Sequence, residues 1–138
     1  MLAAMIPVGQ ALETSGISLS IANFISTSTA GMDLPWLILM ILVITMFVSD
    51  IVNNAATAVI MAPIAANLAI QVGQPVEPFL MAVAVGASCA FLSPIGHQCN
   101  TLVMAPGSYK FGDYWRLGLP LECVIVAISI PMILFVWT

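Results

Sequence analysis

Polar residues fall in a few tight clusters along this chain, and the stretches between the clusters are almost unbroken apolar sequence. A helix rises about 1.5 Å per residue and a bilayer's hydrocarbon core is about 30 Å thick, so a full crossing takes about 20 apolar residues. Measured against that length, four regions separate. In residues 1–30 an apolar run is interrupted by Glu13-Thr14-Ser15-Gly16 and resumes from Ile17 to Ile25. This reads as one broken span, or as the tail of a span followed by an interfacial helix. In residues 34–70 two apolar arms, Leu34–Val48 and Ala55–Ile70, flank the polar cluster Ser49–Asn54. Each arm would be about 22–24 Å long as a helix, short of a crossing. The pair therefore reads as a re-entrant hairpin with a polar tip rather than as one long helix with a polar middle. Irregular backbone at membrane depth is tolerated where it lines a cavity enclosed by protein.

A polar Gly/Pro loop, residues 71–78, leads into the third region, residues 79–105. Its first part is rich in Ala82, Ala84, Gly86, Ala87, Ser88 and Ala90, small residues that let helices approach closely in lipid. Pro94 and Gly96 then interrupt the pattern, which predicts a discontinuous helix. The fourth region, residues 117–137, is a full-length closing span with Trp137 as an interface anchor. Lys110 and Arg116 share the loop before it, so the excess of basic residues on the inner side places residues 106–116 in the cytoplasm.

Composition turns these spans into a class. Hydrophobic residues make up 62% of the 138 and charged residues only 6%, against about 45–50% and about 25% in soluble domains. With a mean hydropathy of +1.14, a water-soluble fold would expose large apolar patches and aggregate. The chain is therefore expected to be an all-α, multi-pass integral protein of the plasma (or bacterial inner) membrane, with the lipid bilayer as its solvent. The net charge of −4, with two basic residues, excludes a nucleic-acid footprint, which needs clustered Lys and Arg. It also excludes a basic amphipathic helix lying on the membrane surface. Cys89, Cys99 and Cys123 have no ligand-like spacing and read as small buried hydrophobes, so no cofactor is expected. No basic segment precedes the first apolar run, which argues against a secretory signal. The abrupt apolar opening is what a chain lacking upstream sequence would show.

The two polar interruptions carry the candidate chemistry. Discontinuous helices in secondary transporters place half-helix N-termini and unwound carbonyls near the bilayer midplane, where they meet anions and coupling cations. The first cluster offers Ser49, Asp50, Asn53, Asn54 and Thr57, oxygen-rich groups suited to a hard cation such as sodium. The second offers Ser93, His97, Gln98, Asn100 and Thr101, donors enough for an anionic substrate. A carboxylate inside a membrane segment costs a few kcal/mol and so marks a pathway or a paired site. Asp50 is that residue, unless it only caps the hairpin's second arm. The hydroxyls of Ser49 and Thr57 could instead bond back to carbonyls of their own helices.

Several of these residues form a recognisable pattern. Val52-Asn53-Asn54-Ala55-Ala56-Thr57-Ala58, Met61-Ala62-Pro63, Gly86-Ala87-Ser88-Cys89-Ala90-Phe91 and Pro94-Ile95-Gly96-His97-Gln98-Cys99-Asn100 occur in that order. Together with Phe111-Gly112-Asp113-Tyr114 and Arg116-Leu117-Gly118 they resemble the divalent anion/sodium symporter family, carriers of sulfate and of di- and tricarboxylates. The resemblance covers residues 35–137. It implies an alternating-access transporter of two inverted repeats, each with a re-entrant hairpin and a broken helix, with this chain supplying the second. It also implies a homodimer, and a missing N-terminal half that completes the site. Carried over residue by residue, Ser49, Val52, Asn54, Gly96 and Gln98 surround the coupling sodium ion. Asn54, Ala55 and His97 meet the substrate, with Asn53 and Asn100 beside them.

The departures from the family pattern bear on the substrate. Of the family's Ser-Asn-Thr tip only Asn54 is kept, and Ala55 lacks the hydroxyl a carboxylate would use. His97 stands where dicarboxylate carriers often have Thr followed by Pro. The Gly-His-Gln-X-Asn form resembles a branch assigned to sulfate or to no substrate, which favours sulfate over a dicarboxylate. Coupling to protons through Asp50 and His97 is the alternative to sodium. Two readings from other classes stand beside transport. One is an intramembrane enzyme with Asp50, His97 and Cys99 as acid, base and nucleophile, although no motif of a known intramembrane hydrolase occurs. The other is a structural or inert membrane fragment.

Overall fold

The computed structural model describes residues 14–28, 31 and 33–137, together with residues 7, 10 and 11. Glu13 and most of the first apolar run of residues 1–30 lie outside them. The second run forms helix α1, Ile17–Ser28. It buries Ser18 and Ala22 and receives a long hydrogen bond on Ser18 Oγ from Asn67 Nδ2 (3.4 Å).

Helix α2 spans Leu34–Ile51, with Pro35 in its first turn, where no intrahelical donor is lost. Its buried positions come in pairs every four residues: Leu37 and Ile38, Ile41 and Leu42, Thr45 and Met46, Ser49 and Asp50. That spacing lays one stripe along one side of the helix. The stripe is apolar for most of its length and ends in a hydroxyl and a carboxylate. The helix runs past the apolar arm expected to end at Val48, because Ser49 and Asp50 find polar partners inside the protein.

Val52 and Asn53 are extended, and helix α3 follows over Asn54–Val72. The Asn53 side chain caps it by accepting from the Ala56 N–H (2.9 Å), which satisfies one of the four orphan donors at a helix start. Its far end closes on Gly73, whose left-handed φ of 69° lets Gln74 N–H bond back to Ala69 O (3.0 Å). With 18 and 19 residues, α2 and α3 are about 27–29 Å long, more than the apolar runs alone indicate.

Helix α4, Val76–Ser88, packs against both α2 and α3. Gly86 sets its distance from α2, since a Cβ there would lie 2.9 Å from Leu42 O and 2.9 Å from Thr45 Cβ. The chain then leaves helical geometry from Cys89 to His97, resumes in the short α5, Gln98–Met104, and ends in α6, Phe111–Trp137. Helix α6 leans on α2 and α4 and otherwise exposes apolar side chains, among them Leu117, Val124, Ile128 and Phe135. Among the described residues α2, α3 and α6 are long and apolar enough to cross a membrane. The fold is all-α.

Candidate functional site

The buried stripe of α2 delivers Ser49 and Asp50 to the irregular segment between α4 and α5. Ser49 Oγ donates to Ala87 O at the end of α4 (2.7 Å), so this hydroxyl crosses to another helix instead of bonding back along its own. Thr57 Oγ1, buried one turn into α3, has no hydrogen-bond partner among the described residues.

Asn54 opens α3 beside Ser49. With its amide turned so that each end meets a partner of opposite character, the side-chain nitrogen donates to three oxygens. They are Gly96 O (3.1 Å), Ser49 Oγ (3.1 Å) and Ala87 O (3.2 Å). The start of α3, the end of α2, the end of α4 and the segment before α5 thus converge on one amide NH2 donor. Gly96 is what permits the approach. A Cβ at that position would lie 2.8 Å from Ser49 O and 2.6 Å from Ala90 Cβ, closer than real atoms pack.

Asp50 holds the other side of the irregular segment. Its Oδ1 accepts from Leu92 N–H (3.0 Å) and its backbone carbonyl accepts from Ser93 Oγ (2.5 Å). Ser93 Oγ in turn accepts from the N–H groups of Ile95 (3.2 Å) and Gly96 (3.2 Å). Asp50 therefore does not cap α3; Asn53 does. The role of Ser93 in shaping this turn is not legible from the sequence, where it is one polar residue among several.

Beyond the turn, His97 caps α5, its Nδ1 accepting from Cys99 N–H (3.2 Å). That bond commits one imidazole nitrogen to backbone, while the ring itself is exposed. Asn100 uses its amide nitrogen inside the protein, donating to Ala90 O (3.0 Å) and Ser93 O (3.3 Å). Thr101 Oγ1 donates to Pro94 O (2.6 Å), and Tyr114 OH of α6 donates to Asn100 O (2.7 Å). Of the residues expected around a cation, hydrogen bonds bring together Ser49, Asn54 and Gly96. Val52 sits at the α2 terminus with its N–H on Val48 O (2.8 Å), and Gln98 is exposed at the start of α5. Of the residues expected around a substrate, Asn53, Ala55 and His97 are exposed, and Asn100 is occupied in shaping the turn.

Ser49 Oγ, Ala87 O and Gly96 O form an all-oxygen set around one point. That point is held by the Asn54 nitrogen, at the junction of two interrupted helices. Ala87 joins this set only in three dimensions, since its side chain carries no polar atom.

Known proteins supply the context for this geometry. An uncharacterized transporter of Synechocystis is 38% identical over 133 residues, covering 96% of this chain and 22% of the relative. A probable sodium/sulfate cotransporter of Chlamydomonas reinhardtii is 33% identical over 130 residues, 93% of this chain and 14% of the relative. A sodium-dependent high-affinity dicarboxylate transporter of Caenorhabditis elegans is 31% identical over 119 residues, 85% of this chain and 21% of the relative. This chain spans about a fifth of the length of the relative it resembles at 38% identity, and these names belong to transporters rather than enzymes. The sequence profile of the citrate transporter family matches residues 1–138. A multi-pass membrane chain with two interrupted helices meeting at Asn54, matched over its whole length by that profile, belongs to the citrate transporter family.

Proposed function

We propose that this chain forms half of the binding site of a sodium-coupled transporter that moves a small divalent anion across the plasma or inner membrane by alternating access. The observation that carries the reading is the convergence of Ser49 Oγ, Ala87 O and Gly96 O on the Asn54 amide. Four chain segments end or turn at that point. Anything that binds there is sensed by the α2–α3 tip and by the α4–α5 break together, which is what coupling an ion to a substrate requires. Sodium, when bound beside Asn54, supplies positive charge to a site otherwise made of neutral dipoles and one carboxylate. Val52 and Gln98, on the two flanking termini, are the remaining ligands proposed for it.

On the substrate side the proposed contacts are Asn53, Asn54, Ala55 and His97, of which Asn53, Ala55 and His97 are exposed, and the start of the 19-residue α3 adds its partial positive charge. Ala55 in place of a hydroxyl, and the His97-Gln98 pair, favour sulfate over a dicarboxylate. A relative named as a probable sodium/sulfate cotransporter points the same way. The α2–α3 pair acts as the re-entrant hairpin and α4–α5 as the broken helix of one repeat. The other repeat and a second protomer complete the working unit.

The test is uptake of labelled sulfate, succinate and citrate by cells expressing the full-length protein, with and without a sodium gradient, alongside Asn54→Ala. Sodium-stimulated uptake that the variant abolishes supports the site and names the anion. Uptake of none of the three, or uptake indifferent to Asn54, overturns the reading.

A further inference from the structure

Glu122 is the ionisable group that the site around Asn54 leaves unused. Tyr114, Gly118 and Glu122 are spaced four apart on α6 and so share one face of it. This face meets the chain from the irregular segment into α5. Tyr114 OH donates to Asn100 O. Gly118 is buried, and a Cβ there would lie 2.5 Å from Phe91 O. Glu122, one turn further along α6, lines a cavity with Leu92 of that segment. The N–H of Leu92 donates to Asp50 Oδ1. Asp50 of α2 and Glu122 of α6 therefore both reach the chain at Leu92, just past the end of α4.

Neither acid is fully satisfied there. Asp50 Oδ2 and Glu122 Oε1 are both buried and have no hydrogen-bond partner among the described residues, and Asp50 is only 6% exposed. No cation compensates them from within the chain, whose two basic side chains, Lys110 and Arg116, are exposed. Helix α2 brings Asp50 and the interrupted segment brings Cys89. The acid on α4, Glu77, is in its first turn, at the opposite end from the break. On α6 itself the neighbour is Cys123. The cavity that Glu122 lines, about 420 Å³ between α2 and α6, has walls that include Val43, Met46, Phe47, Leu119 and Val126. Glu122 lies roughly 16 Å along a helix roughly 40 Å long, far from either end.

Two carboxylates that reach the same short stretch of chain, with no basic side chain beside them, do not both stay ionised. We propose that Glu122 is a proton-binding residue. It holds a proton while the interrupted segment is seated on the Tyr114–Gly118–Glu122 face, and releases it to water when α6 and that segment separate. The site itself is independent of the transported anion. Its link to uptake rests on the transport reading above.

Infrared spectra of the full-length protein in lipid, together with uptake measured across a range of pH, test the proposal. The expected result is a carbonyl stretch of a protonated carboxylic acid at neutral pH that disappears in Glu122→Gln, and an uptake pH profile that the same variant flattens. A band absent from the wild type, or lost in Asp50→Asn while Glu122→Gln retains it, overturns the assignment. A band lost in Glu122→Gln with an unaltered pH profile overturns the link to uptake. If the band behaves as expected but the wild type carries no dianion, the proton site stands and the transport reading falls. Should Glu122→Gln fail to reach the membrane, Glu122→Asp decides the matter: a shifted band supports the site and an unshifted one overturns it.

Discussion

The side-chain nitrogen of Asn54 lies 3.1 Å from the backbone oxygen of Gly96, and this contact ties the first residue of α3 to the segment between α4 and α5. The two are 42 positions apart in sequence, yet each needs the other. Without Asn54, Gly96 O would face the tip with no donor. With a side chain at Gly96, the tip could not come within reach, because Ser49 O already fills the space a Cβ would occupy.

Asn54→Ala removes the donor to three oxygens and leaves buried acceptors unpaired, which costs about 1–3 kcal/mol. Asn54→Asp is close in shape but sets an oxygen against Ser49 Oγ, Ala87 O and Gly96 O. The expected outcome is that both variants lower thermal stability in detergent and cut uptake at least about tenfold, equivalent to about 1.4 kcal/mol, with Asp no milder than Ala. Wild-type behaviour of Asn54→Asp would show that the nitrogen does not face those oxygens.

Gly96→Ala must push Ala90 Cβ or the Ser49 backbone aside, and neither is the end of a flexible chain. Overpacking of this kind costs about 1–3 kcal/mol, and here it also parts Gly96 O from the Asn54 amide. Gly112→Ala, in the first turn of α6, meets nothing within 4 Å and should be neutral or stabilising by up to about 1 kcal/mol. Thermal unfolding of the two variants side by side checks the contrast. Equal melting temperatures would mean that the tip and the break do not touch.

The position of the two interruptions is legible in the sequence because it is written locally. Pro94 and Gly96 end α4's apolar pattern, and Ser49 to Asn54 end that of α2. The continuation of α2 through Ser49 and Asp50 is not local. Those two polar residues stay helical because Ala87, Leu92 and Ser93, about forty residues on, supply their partners. Asn53 reads as a substrate contact in the sequence and acts as the cap of α3, since both roles ask for the same exposed amide next to a helix start. Glu122 was visible only as one acid in an apolar span. The spacing of Tyr114, Gly118 and Glu122 was the signal available, and it acquires meaning only once Phe91 is known to lie against it.

The cap at Asn53 separates stability from binding. Asn53→Ala loses the bond to Ala56 N–H and should cost about 1 kcal/mol, while Asn53→Ser, a comparable cap, should restore most of it. If Asn53 also touches the anion, Asn53→Ser will regain the wild-type melting temperature yet keep a raised KM. Recovery of both in Asn53→Ser would assign the residue to capping alone.

The last expectation concerns water access to the break, and the cysteines report it. Cys99 is exposed in the first turn of α5, one residue from Gln98 and two from His97, whereas Cys89 is buried where α4 ends, at 6% exposure. Thiol reagents must reach the sulfur, which an exposed position permits and a buried one does not. In full-length protein carrying one cysteine at a time, a membrane-impermeant maleimide should label Cys99 at least about tenfold faster than Cys89. A tenfold ratio corresponds to about 1.4 kcal/mol between the two environments. Sodium with sulfate should slow the reaction at Cys99, because an anion held against His97 crowds the start of α5. Slow labelling at both positions, unaffected by either ion, would place the break away from any aqueous path and remove the physical basis for a substrate contact at His97.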